Sequence, residues 1–256
     1  MKLTNEEYFS NEALSFSTIK ELLNSPKHFW RAKEEGIKKT PSMELGTAIH
    51  CGILEPKEFE KNYILEPQLD KRSKAYKEWL ATEGEGKLLY SEETKEIIDN
   101  ALSSTYSDAI SLIKEGRTVN EEAFFFEDTF LKMKCKVDAY CKEEKILIDL
   151  KTSSDISPRE FQSQIFKRAY HMQMAHYREA LESNGCPVDC VKIVAISTTK
   201  PFDVVEYELD NIVLDQAMVE LKELYKETAR VISFGDRGGY SNKPISVEYP
   251  KWYVIK

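Results

Sequence analysis

The chain has 256 residues, 41% of them hydrophobic, enough to bury a sizeable core, and one α/β domain over residues 1–256 is the simplest expectation. Its apolar runs are too short to span a bilayer, and the polar start Met1-Lys-Leu-Thr-Asn-Glu-Glu7 lacks the layout of a signal peptide, so a cytoplasmic protein with no membrane partner is expected. A formal net charge of −8 argues against a nucleic-acid partner, because phosphate-binding domains usually carry a basic surplus.

In chain order, Thr18-x-x-Glu21 reads as a capping box that opens a helix running to about Asn24, before Ser25-Pro26. A helix over 42–54 stops at Glu55-Pro56 and carries His50, which is either a satisfied, partly buried histidine or a metal ligand. A charge-rich variable segment covers 57–90, and a helix lies near 91–115. Strands are expected at 121–128, 131–140 and 145–151. Glu121 and Glu122 open the first of them, where an exposed strand start outweighs a role as an extra metal ligand. A helix from about 158 to 183 puts Gln173 and Tyr177 on one face, with Tyr177 either functional or plain core. Strands at 191–197 and 203–209 and a long amphipathic helix over 211–232 follow. The tail, from Gly238 to Trp252 and Tyr253, is expected to be irregular, packed on the chain or covering a subunit interface. The sum is an α/β fold with a central mixed sheet flanked by helices.

The hairpin holds the chemistry. Leu131, Met133, Cys135, Val137 and Ala139 alternate with Lys132, Lys134, Lys136, Asp138 and Tyr140, which gives one buried face and puts Asp138 on the lysine-bearing face. Beyond the turn at 142–145, Ile146, Ile148 and Leu150 point one way, and Asp149 and Lys151 the other. Closure of the hairpin lets the two acids converge, with Lys151 one pleat beyond. Paired carboxylates repel unless one is protonated or a cation neutralises them, and Mg²⁺ or Mn²⁺ is the natural solution. Such a site suits phosphodiester hydrolysis by a metal-activated water, with Lys151 orienting the water or stabilising the phosphate. The plain alternative is an exposed salt bridge, which the apolar flanks of Asp149 disfavour because a carboxylate among them needs a partner.

Val137-Asp138, ten residues, then Asp149-Leu-Lys151-Thr-Ser resembles the PD-(D/E)XK nuclease superfamily, in particular its RecB-like branch. Leu45-Gly-Thr-Ala-Ile-His50 is similar to the branch's histidine helix, and Gln173-Met-Ala-His-Tyr177 to its Gln-x-x-x-Tyr helix. Leu14-Ser-Phe-Ser-Thr-Ile-Lys20 and Ser25-Pro-Lys-His28 resemble the opening of RecE-type (exonuclease VIII) phage and prophage exonucleases. Val137 stands where the superfamily's name has proline, which the branch tolerates. The resemblance implies a PD-(D/E)XK core and a Mg²⁺-dependent exonuclease that degrades duplex DNA from the 5′ end, leaving a 3′ tail for recombination by single-strand annealing. It also implies metal ligation by His50, Asp138, Asp149 and the Leu150 carbonyl, catalysis by Lys151, and Gln173 and Tyr177 beside the site. Its implied partners are duplex DNA ends and a single-strand annealing protein.

Five cysteines, at 51, 135, 141, 186 and 190, lack both a disulfide framework and the four-thiolate spacing of an iron–sulfur cluster, so reduced thiols and no cluster are expected. Local basic groups temper the acidic total. Lys132, Lys134 and Lys136 share Asp138's face, and Lys20, Lys27 and Arg31 are candidates for a terminal 5′-phosphate. An acidic protein that encloses DNA, as ring-forming relatives do, holds it topologically, so a homo-oligomeric ring, tetrameric by resemblance, is expected. The competing readings are a structure-selective endonuclease on the same fold and a catalytically silent DNA-binding module.

Overall fold

The computed structural model describes residues 3–249; Trp252 and Tyr253 of the aromatic tail lie outside them. The chain opens with α1 (Asn5–Ser10), a two-residue strand β1 (Leu14–Ser15), α2 (Phe16–Ile19) tightening into a 3-10 turn over Lys20–Leu23, α3 (Pro26–Glu35) and α4 (Pro41–Leu54). A small module follows: α5 (Pro56–Asn62), β2 (Tyr63–Leu65), α6 (Lys74–Thr82) and β3 (Leu88–Tyr90), with β2 and β3 paired in parallel. Then come α7 (Glu92–Ser103), α8 (Asp108–Lys114), β4 (Val119–Glu127), β5 (Lys132–Cys141), β6 (Ile146–Ser153), α9 (Pro158–Lys167), α10 (Tyr170–Ser183), β7 (Cys190–Ser197), β8 (Val204–Glu208) and α11 (Asn211–Phe234).

Local chemistry sets most helix starts. Thr4, Ser25, Thr40, Ser73, Ser91, Ser107 and Asp210 each accept a backbone N–H from the first turn they precede. The helix expected near 91–115 is two: the first ends at Ser103 with Ser104 as its C-cap, and Ser107 caps the next. The expected helix at 158–183 is likewise broken, because Ala169 adopts φ 57°, a left-handed conformation that no helix continues through. The Thr18–Glu21 capping box does not form; Thr18 lies inside α2, and its hydroxyl bonds Ser15 Oγ at 3.1 Å.

The main sheet is mixed and flanked by helices, as expected. β5 pairs antiparallel with β4 and β6, β6 parallel with β7, and β7 antiparallel with β8. One face is covered by Phe16, Ile19, Phe29, Met174, Leu221 and Tyr225, from α2, α3, α10 and α11. The other is covered by Ile49, Ile53, Ile97, Ile110 and Ile113, from α4, α7 and α8. Strict alternation along β5 fails at Asp138. Met133, Cys135 and Val137 belong to the first core, but beyond Asp138 it is Tyr140 that stays there, while Ala139 and Cys141 join the second. Tyr140, expected on the polar face, is buried and donates to the Pro187 carbonyl at 2.7 Å.

Candidate active site

The hairpin opens where its two acids meet. β5 and β6 pair only at Ala139↔Ile148, Tyr140↔Leu147 and Cys141↔Ile146, and continuing that register sets Asp138 opposite Asp149. There the ladder stops, and the Leu150 N–H that would bond a strand neighbour instead donates to Asp138 Oδ2 at 2.8 Å. β6 remains fixed by β7, paired from Ile146↔Cys190 to Ser153↔Ser197, so the splay leaves a fork walled by rigid strands. β1 takes the vacated edge of β5 at Leu14↔Met133.

Helix α4 reaches this fork because glycine lets it approach β6. A Cβ on Gly46 would lie 3.2 Å from Thr152 Oγ1, and one on Gly52 would lie 2.6 Å from Ile98 Cδ1 of α7. His50, one turn beyond Gly46, is thereby brought to Asp138, with Nδ1 3.4 Å from Oδ2. Opposite, Lys151 Nζ pairs with Asp149 Oδ2. Asp149 is 1% exposed, and its second oxygen, Oδ1, has no hydrogen-bond partner among the described residues. An orphaned carboxylate oxygen in such a place is costly unless a proton, a water or a cation supplies the missing partner.

Glu121 is the residue that sequence reasoning placed wrongly. It faces Asp138 across the β4–β5 ladder, between the pairs Asn120↔Ala139 and Glu122↔Val137, and its backbone is left-handed at φ 55°. Far from an exposed strand start, its side chain is 18% exposed and lies 2.7 Å from Lys136 Nζ. One donor atom each from His50, Glu121 and Asp138 falls within 4.8 Å of the others, close enough for one ion. No spacing rule signals this, because the signal is a single left-handed residue.

The electrostatics follow from burial. Burial pushes the Asp149 carboxyl up to about 6, assisted by Asp138 and opposed by Lys151. Asp138 and Glu121 are raised for the same first reason. Burial also pushes the His50 imidazole down to about 4, with Lys151 adding to the effect, so at neutral pH it is uncharged and able to ligate a metal. Burial alone would lower Lys151, but Asp149 and Asp138 outweigh it and hold the ammonium charged.

Most of the other expected site residues gather here. Gln173 Nε2 donates to Tyr177 Oη at 2.8 Å, and the Tyr177 hydroxyl is held neutral by burial and by the charges of Asp149 and Asp138. Lys151 Nζ sits 4.9 Å from the Tyr170 ring centroid and 3.5 Å from the Leu150 carbonyl. Lys20 also belongs to this neighbourhood: burial lowers its pKa, and Lys151 and Arg168 lower it further. Arg168, absent from the sequence reading, comes close only because the chain breaks between α9 and α10.

The lysine stripe is largely spent on structure. Lys134 is 5% exposed, and its ammonium donates to the carbonyls of Tyr8 at 2.7 Å and Asn11 at 2.8 Å, so it ties down the N-terminal segment and cannot meet a phosphate. Lys136 is engaged by Glu121; Lys132 is exposed, 3.8 Å from Glu127. Lys27 and Arg31 are exposed on α3, and among the described residues their side chains share no hydrogen bond or ion pair with Asp138, Asp149 or Lys151.

The family model described as "PDDEXK-like domain of unknown function (DUF3799)" matches residues 15–243. No curated protein matches the sequence. Among solved structures, a protein named as a "putative exonuclease" from Eubacterium rectale is similar at 18% identity and TM-score 0.65, over 92% of this chain and 88% of that one. A phage-related exonuclease from Haemophilus somnus 129PT aligns at 17% identity and TM-score 0.34, over 74% of this chain and 95% of that one.

Proposed function

From the premise that the chain belongs to the PDDEXK-like family DUF3799, within the PD-(D/E)XK nuclease superfamily, we propose that it is a Mg²⁺-dependent, double-strand-specific 5′-to-3′ exodeoxyribonuclease of the RecE type. The observation that carries this reading is the fork: Asp138 opposite Asp149, Lys151 on Asp149, and His50 on Asp138. His50, Asp138, Asp149 and the Leu150 carbonyl would hold the metal, and the orphaned Asp149 Oδ1 fits that role. A divalent cation there supplies Lewis acidity, lowering the pKa of a bound water and balancing charge on the phosphate oxygens.

The chain's own groups do the rest. The Leu150 N–H fixes Asp138 Oδ2, so the carboxylate is oriented before any ligand arrives. Lys151, charged and pinned between Asp149 and the Tyr170 ring, faces the reacting phosphate and orients the attacking water. Tyr177, braced by Gln173, presents a hydroxyl that stays protonated and donates to a phosphate or to water. Lys20 and Arg168 offer positive charge for a phosphate of the bound strand, with Lys27, Arg31 and Lys132 further out. Asp149 is buried and Glu121 and Asp138 are partly so, which limits solvent screening and strengthens these interactions.

End-labelled duplexes incubated with Mg²⁺, against an EDTA control, test the assignment. Mononucleotides released first from the 5′ label are expected; release from the 3′ label reverses the proposed polarity, and no Mg²⁺-dependent release refutes the nuclease. A closed circle separates the endonuclease alternative, which alone would cut it. At the assembly level we propose a homo-oligomeric ring, tetrameric by resemblance, around duplex DNA, delivering its 3′ tail to a single-strand annealing protein. Mg²⁺ is the proposed physiological ion, and Mn²⁺ is expected to substitute.

A further inference from the structure

We propose that His176 is a positioning residue of the nuclease site: the hydrogen bond from its imidazole to β5 sets α10, and with it Tyr177, in place against Asp138. The inference rests on the nuclease reading, in which the Tyr177 hydroxyl meets the substrate.

His176 is completely buried, and its ring lies among those of Phe16, Phe126, Tyr177 and Tyr225, at centroid distances of 5.9, 5.2, 6.1 and 6.0 Å. Both nitrogens are used. Nε2 lies 3.1 Å from the Lys134 carbonyl of β5, and Nδ1 lies 2.6 Å from the Tyr225 hydroxyl of α11. A carbonyl can only accept, so the proton of the neutral ring sits on Nε2, and Nδ1 accepts from Tyr225. An apolar side chain would also fill this aromatic cage, but apolar contacts let a helix slide or turn, whereas a directed bond to one carbonyl does not.

The two ends of that bond belong to the site. Lys134 lies four residues before Asp138 on the same strand, and His176 directly precedes Tyr177. The anchor is needed because the left-handed Ala169 breaks α10 from α9, so no continuing helix orients it. A second tie holds the other side of α10: Tyr225 Oη lies 3.4 Å from Glu179 Oε2, Glu179 pairs with Lys222, and Lys222 Nζ lies 2.7 Å from Asp128 Oδ2 in the connection between β4 and β5. Attachment to the hairpin at both Lys134 and Asp128 fixes the rotation of α10 as well as its rise.

Steady-state digestion of a linear duplex with Mg²⁺, expressed per folded protein by circular dichroism, tests the proposal with two amides. Glutamine is long enough to put its NH₂ where Nε2 stood and so keeps the bond to β5; asparagine reaches only the Nδ1 position and loses it. His176→Asn is expected to lower kcat at least about tenfold with KM within about twofold of wild type, and His176→Gln to stay within about threefold in both. In a Tyr177→Phe background, His176→Asn should cost nothing further, because the two changes remove the same contribution. If His176→Asn fails to fold, His176→Leu combined with Tyr225→Phe removes the imidazole and its hydroxyl partner together and should show the same loss of kcat. Wild-type kcat in folded His176→Asn, a change confined to KM, equal losses in the two amide variants, or a further loss in the Tyr177→Phe background each overturns the inference and leaves the nuclease reading standing. A wild-type chain that cuts no DNA overturns both.

Discussion

At the level of single residues, the site and the core use the same device, burial, to opposite ends. Asp149 is buried with one oxygen orphaned, whereas His176, 0% exposed, is fully satisfied: Nδ1 lies 2.6 Å from Tyr225 Oη and Nε2 lies 3.1 Å from the Lys134 carbonyl. Burial pushes the His176 imidazole down to about 4. A depressed pKa means that the unfolded chain binds the proton more readily, so the contribution to stability is complete above pH 6.5 and is lost as pH falls toward about 4. The span corresponds to about 3 kcal/mol. Denaturant unfolding from pH 7 to 4 should therefore show a steeper loss in the wild type than in His176→Gln, and parallel curves would refute the assignment. Lys151→Met should cut DNA hydrolysis about 10²- to 10³-fold with duplex affinity within about twofold of wild type. Equal turnover would remove Lys151 from the mechanism. Asp149 and Lys151 were legible in the sequence because a two-residue spacing on a strand fixes their common face, whereas Asp138 meets them where strict alternation along β5 fails. Glu121 was weighed in the sequence as an extra ligand and set aside for an exposed strand start, and Arg168 was not raised, because each is delivered by a backbone departure, at Glu121 and Ala169, that no periodicity encodes.

Among elements, the strands of the main sheet and the long helices followed the hydrophobic pattern closely; the short elements α3, α5, β2, α6 and β3 carry too little periodicity to show, and two long helices divide where a polar cap or a left-handed residue interrupts them. The boundary between α7 and α8 is the clearest case. Ser107 and the N-terminus of α8 are fixed by Glu206 of β8, whose carboxylate accepts from Ser107 Oγ at 2.7 Å, Ala109 N–H at 3.0 Å and Lys192 Nζ at 2.6 Å. Burial resists the charge, but these three donors hold Glu206 ionised and its pKa low. A long-range cap of this kind, ninety-nine residues from Ser107, is invisible to a local reading. Glu206→Ala leaves Lys192 unpaired, with side-chain exposure of only 12%, and uncaps α8, so a loss of about 3 kcal/mol is expected. Adding Lys192→Met should recover part of that loss by removing the stranded charge. If the double variant is no more stable than the single one, the ion pair is not what holds α8 against β8.

The whole molecule carries the hardest constraint, a net charge of −8 on a chain read as DNA-binding. Structure sharpens it, because Lys134 is consumed by the N-terminal segment, Lys136 by Glu121 and Lys151 by Asp149, leaving Lys20 and Arg168 near the fork and Lys27, Arg31 and Lys132 further out. Contacts to about four phosphates give a slope of log affinity against log salt near −3.6, so affinity should drop roughly 10²-fold between 50 and 200 mM. An open monomer that depends on such contacts would release its duplex correspondingly sooner as salt rises. A closed ring would not, since escape requires the end of the strand or opening of an interface. The number of nucleotides removed per binding event, measured with a competitor-DNA trap added after initiation, should therefore change less than about twofold over that salt range, while the rate of initial loading falls steeply. Native mass measurement supplies the matching check: a monomer whose digestion run shortens in step with its affinity would leave the ring without support and return the burden of retention to the cations at the fork.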